Sequence, residues 1–78
     1  MSSTQQYNAA FIETFHVAET DLPELKYQAV VAWDSVGHMQ LMAALEEAFG
    51  IELEIDDIID FSSYEKGKQI LAKYQVVF

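Results

Sequence analysis

The chain has 78 residues, with four lysines, no arginine and thirteen acidic side chains, a formal net charge of −9 at pH 7. That balance excludes nucleic acid and anionic membrane surfaces as partners, because neither phosphate array meets a cationic stripe, and it favours basic protein surfaces reached by electrostatic steering. Cysteine is absent, so there is no disulfide framework, and a metal would depend on histidine and carboxylates alone.

The length fits a single domain spanning 1–78, and an apolar content of 51% is enough for one core. Met1 to Gln6 lacks the basic and apolar regions of a signal peptide, and no apolar run approaches a membrane span. The expectation is a cytoplasmic monomer that does not engage membranes.

Ser2, Ser3 and Thr4 are candidate N-caps of a first helix. Tyr7, Phe11 and Phe15 recur every four residues, and Ala10, Ile12 and Ala18 widen the stripe, which predicts one amphipathic helix ending near Ala18 or Glu19. Thr20-Asp21-Leu22-Pro23 breaks that pattern. The stretch from Thr20 to Asp34 is long for a helix connection, yet Leu22, Leu25, Val30, Val31 and Trp33 predict that it packs across the bundle, with one short helical turn at Pro23-Glu24-Leu25-Lys26.

The second helix runs from Ser35 to Phe49. Val36, Met39, Met42, Leu45 and Phe49 follow helical spacing, Glu46 and Glu47 fall on the outer face, and Gly50 stops the helix. Ile51, Leu53 and Ile55 alternate with acids, as an extended segment with one buried face does. Asp57-Ile58-Ile59-Asp60 reads as a short third helix. Ser62 with Glu65 reads as a capping box opening a last helix through about Tyr74, with Gly67 as its weak point. The expected fold is all-α: a small four-helix bundle of three longer helices and one short helix, with a long packed loop between the first two helices.

Ser35 opens the second helix, where unpaired backbone N–H groups and the positive end of the helix dipole favour a covalently attached phosphate. A plain N-cap is the competing reading. However, neither Asp34 nor Ser35 has Glu or Gln three residues on, and Gly37 weakens the first turn, a poorly optimised start of the kind functional sites show. His38 lies one turn beyond Ser35. A serine–histidine nucleophile would also need an orienting partner, oxyanion donors and a cleft, and Asp34 is not placed to hold His38, so the chain reads as no enzyme and His38 as an exposed contact residue.

The acids Glu52, Glu54, Asp56, Asp57 and Asp60 do not make a calcium loop. An EF-hand begun at Glu52 would need glycine and glutamate where Asp57 and Ser63 stand, so they read as a solvated face, with no metal site. Val36, Met39, Met42, Leu45, Ile58 and Ile59 read as core.

The stretch Trp33-Asp34-Ser35-Val36-Gly37-His38-Met39, continued by Leu45-Glu46-Glu47-Ala48-Phe49-Gly50-Ile51, resembles the acyl carrier protein family. The resemblance is strongest from Ala32 to Phe61, and the family shares the order of elements. It implies 4′-phosphopantetheine on the Ser35 oxygen, and a phosphopantetheinyl transferase that reads Asp34 and Val36. It also implies acyl-loading and acyl-transferring enzymes with basic surfaces docking near His38, Met39, Glu46 and Glu47. An acyl pocket between the second and third helices would draw on Met42, Leu45, Ile58 and Ile59.

Carriers of housekeeping fatty-acid synthesis place acids just after the serine, where this chain has Gly37, His38 and Gln40, and a small residue where it has Trp33. The implied role is therefore a stand-alone carrier of a dedicated pathway, in polyketide, peptide or envelope-modifying biosynthesis. The alternatives are an unmodified helical adaptor that uses Ser35 only as a cap, and a peptidyl carrier of nonribosomal synthesis.

Overall fold

A computed structural model describes residues 2–78. The chain forms α1 (Ser3–Phe15), a 3-10 helix (Glu19–Glu24), α2 (Ser35–Phe49), α3 (Ile55–Asp60) and α4 (Tyr64–Ala72), with no strand among the described residues. The all-α bundle of three longer helices and one short one is the observed fold.

α1 starts at a capping box: Ser2 Oγ accepts the Gln5 N–H at 3.1 Å, and Gln5 Oε1 accepts the Ser2 N–H at 2.9 Å. It buries Tyr7, Ala10, Phe11 and Phe15. The helix ends at Phe15, three residues before the expected stop. His16 turns left-handed (φ 56°) and its N–H caps the Ile12 carbonyl, so Ala18 lies outside the helix.

The long connection packs as expected at Leu22, Leu25 and Trp33, which are buried, and at Val30, which is partly buried, while Val31 stands exposed. Its helical turn starts earlier than Pro23 and contains it. One antiparallel bridge ties this connection to the α3–α4 junction: the Tyr27 N–H donates to the Ser62 carbonyl, and the Tyr64 N–H to the Leu25 carbonyl, both at 2.9 Å. Ser63, the bridged residue, is extended (φ −161°, ψ 166°) and caps α4 through the Lys66 N–H at 3.0 Å, and the Ser62–Glu65 capping box does not form.

The core is aromatic. Phe11 meets Tyr7, Trp33 and Tyr64 edge-on at centroid distances of 4.9, 5.6 and 5.3 Å, the arrangement that ring quadrupoles favour. Tyr7 Oη donates to the Tyr64 carbonyl at 2.6 Å, and burial pushes its phenol above the ordinary range. Gly67 is buried where α4 crosses these rings, and a Cβ there would lie 2.2 Å from both the Phe61 ring and Tyr7 Oη. Glycine lets the helix sit directly on the core.

Candidate functional site

The first turn of α2 is built by three neighbours. Asp34 is the N-cap, its Oδ1 accepting the Gly37 N–H at 2.8 Å, and its carbonyl takes the His38 N–H at 2.7 Å. Ser35 is therefore the first helical residue and exposed, with capping done by the residue before it. Gly37 is buried under the incoming chain: a Cβ would lie 1.9 Å from the Ala32 carbonyl oxygen. What reads in the sequence as a weak helix start is a close crossing of backbones that only glycine allows.

His38 is half-buried and held at both ring nitrogens, not presented on an open face. Its Nδ1 accepts the Trp33 indole N–H at 2.9 Å, and its Nε2 lies 2.7 Å from the Ile58 carbonyl oxygen. Indole only donates, so Nδ1 carries no hydrogen and Nε2–H donates to Ile58. The ring also stacks on Trp33, which is itself fully buried and stacked on Phe15. With both nitrogens engaged, neither is left to act as a base on Ser35. The histidine instead ties the start of α2 to the preceding loop and to α3.

Beside Ser35 opens a cleft of about 380 Å³ between α2, α3 and the long connection. Ser35 and His38 line it with Met39, Ile58, Ile59 and Phe61, and Tyr27 and Ser62 complete the rim. Tyr27, Phe61 and Ser62 are not among the site residues expected from the sequence. They reach the cleft through the Lys26–Ser63 bridge, a long-range pairing that leaves no periodic signal.

The remaining expected site residues divide. Val36 (65% exposed) and Met39 lie on the surface beside Ser35, and so does Ile59 (72% exposed), so these three are not core. Met42 and Leu45 are buried in the core and do not line this cleft, whereas Ile58 and Ile59 do. Glu47 is exposed, whereas the Glu46 carboxylate turns inward to accept the Leu53 N–H at 2.8 Å, fixing the extended segment after α2.

Asp57 is likewise not part of a solvated face. It is largely covered, ion-paired with Lys73, and accepts the Tyr74 hydroxyl. Hydrogen bonds from Lys73 and then Tyr74 hold its carboxyl below the usual carboxylate range. This pair anchors α3, and with it the Ile58–Ile59 wall, to the end of α4.

The site fits a phosphodiester-linked arm. The Ser35 oxygen is open to solvent, the first turn of a fifteen-residue helix offers the positive end of its dipole to an anion, and an apolar cleft begins at the serine itself. Among the described residues no helix is long and apolar enough to cross a membrane, and no group of three or more histidine, aspartate or glutamate side chains is arranged to hold a metal ion. Residues 32–66 match the family model described as the phosphopantetheine attachment site. No curated protein sequence matches the chain significantly.

Proposed function

We propose that this chain, whose residues 32–66 belong to the phosphopantetheine attachment site family, carries 4′-phosphopantetheine on Ser35 and holds acyl or aminoacyl intermediates on it as thioesters. Domains of this family are the attachment site of a covalent 4′-phosphopantetheine group; they carry acyl groups for enzymes and are not themselves catalytic. The group supplies a flexible thiol, and the chain supplies an address for the enzymes that use it. The observation that carries the choice of Ser35 is its position: an exposed hydroxyl on the first helical residue, relieved of capping by Asp34, at the mouth of an apolar cleft. Residues 1–78 act as one carrier domain in this reading.

Asp34 then serves twice, capping α2 with one carboxylate oxygen and presenting the other to the transferase. Exposed Val36 and Met39 on α2, with Ile59 on α3, form the contact surface for the transferase and the loading enzymes. Glu47 and the exposed acids Asp56 and Asp60 steer basic partners towards it. Such contacts are weak and short-lived, as a monomeric carrier visiting several enzymes in the cytoplasm needs.

The face of α2 that follows Ser35 exposes Val36 and Met39 and has no carboxylate in its first turn, which supports a dedicated polyketide, peptide or envelope-modifying pathway over housekeeping fatty-acid synthesis. The same apolar surface favours, as a second reading, a peptidyl carrier loaded with an aminoacyl group. Complementation of a conditional fatty-acid carrier mutant tests the pathway: no rescue by well-expressed protein is expected, and full rescue overturns it. An unmodified adaptor, by contrast, would keep its cellular activity in Ser35→Ala.

A further inference from the structure

His38 separates the cleft from the core. Along α2 the side chains of Ser35, His38, Met42 and Leu45 follow one another on the same face at three- and four-residue spacing. The first two line the cleft, and the last two are 1% and 0% exposed and do not. The boundary falls at an imidazole that is hydrogen-bonded to Trp33 on one side and to the α3 backbone at Ile58 on the other, with the Phe61 ring edge-on against it at 6.2 Å. An acyl chain moving inward from Ser35 must displace that ring, leaving the buried Trp33 indole N–H and the Ile58 carbonyl without partners, which opposes its entry.

We propose that His38 is a latch that sets the depth of the cargo: it closes the floor of the cleft, so that the acyl group rests between Met39, Ile58 and Ile59, and the space around Met42 and Leu45 stays shut. This rests on Ser35 as the attachment point. The fitting cargo is a compact acyl or aminoacyl group, because a cleft of about 380 Å³ lies near the small end of the ~300–1,000 Å³ range of ligand sites. A long alkyl chain finds no deeper seat and remains exposed to water or to the partner enzyme. His38 is a specificity-determining residue in this account and takes no part in bond making.

The test loads the apo chain from butyryl-, octanoyl- and dodecanoyl-coenzyme A with a phosphopantetheinyl transferase. Intact mass is used to establish one acyl-pantetheinyl group per chain, and carbon-13 methyl spectra are compared with those of the holo chain. The Met39, Ile58 and Ile59 methyls are expected to shift, while those of Met42 and Leu45 hold their positions for every cargo.

In His38→Ala, shifts at Met42 and Leu45 are expected to appear and to grow from butyryl to dodecanoyl, a length dependence that loss of packing alone does not produce. Trp33→Phe, which removes the indole donor and keeps a ring, provides the same comparison if His38→Ala does not fold. Movement of Met42 and Leu45 in the unsubstituted chain with dodecanoyl cargo overturns the latch. So does the absence of shifts at the cleft methyls, or of length dependence in the variants. Failure of loading in the mass measurement overturns the attachment at Ser35, and the latch with it.

Discussion

The Asp34 carboxylate accepts the Gly37 N–H at 2.8 Å, so the aspartate caps α2 and the serine beside it does not. Asp34→Ala is expected to lower stability by about 0.5–2 kcal/mol, read from denaturant midpoints, and to slow phosphopantetheinylation. Asp34→Asn keeps a capping oxygen, so it should hold the stability to within a few tenths of a kcal/mol and still slow the transferase. Equal modification rates for Asp34→Asn and the unsubstituted chain would reduce Asp34 to a cap.

Gly37 and Gly67 are both sites of close approach and differ in what a methyl group would strike. At Gly37 it meets the Ala32 carbonyl, which is backbone, and at Gly67 it meets the Phe61 ring and Tyr7 Oη. Alanine at either position is expected to cost about 1–3 kcal/mol or more, where helix propensity alone would give a gain. Thermal unfolding of the two variants reads the sign directly.

Glu46 and Glu47 are adjacent and have different tasks. Glu46→Ala removes the acceptor of the Leu53 N–H and is expected to cost about 1–3 kcal/mol, whereas Glu46→Gln keeps an acceptor and should lose much less. Glu47→Gln leaves stability unchanged and weakens the encounter with basic partner enzymes, most visibly at low ionic strength. Association rates measured against salt concentration separate the two.

The Asp57 pair makes stability depend on pH. Its carboxyl is held low by Lys73 and Tyr74, so the stabilisation is present above the unfolded carboxyl range near pH ~4 and is lost as pH falls through the lower folded value. Lys73 and Tyr74 are both raised by their hydrogen bonds to Asp57, so their share is present below about pH 10 and is lost as pH rises through their folded values. Asp57→Asn is expected to be less stable than the unsubstituted chain at neutral pH, and the difference should shrink in acid. A difference that persists unchanged at the acid end contradicts the pairing.

Where local pattern decides structure, the sequence could be read. The α2 boundaries follow from Asp34 at one end and left-handed Gly50 at the other, and the Tyr7–Phe11–Phe15 stripe identifies the buried face of α1. Long-range pairing is what could not be read. α1 stops early because His16, without a glycine to announce it, adopts a left-handed conformation, and α4 takes as its cap Ser63, the residue that the long-range bridge to Lys26 holds extended.

The same limit applies to the site. Asp34, Ser35 and Val36 stand where a helix start places them, but nothing in helical spacing reveals that Trp33 and Ile58 pin His38. Periodicity placed Met39 and Met42 on one face without separating them. The structure leaves Met39 at the surface and seals Met42 in the core.

The attachment of the arm to Ser35 is tested most directly by intact mass after incubating the protein with coenzyme A, magnesium and a broad-specificity phosphopantetheinyl transferase, beside Ser35→Ala. A gain of one phosphopantetheinyl group is expected in the unsubstituted chain and none in the variant. No gain in folded protein, while a control carrier is modified in parallel, or an equal gain in Ser35→Ala, would contradict it.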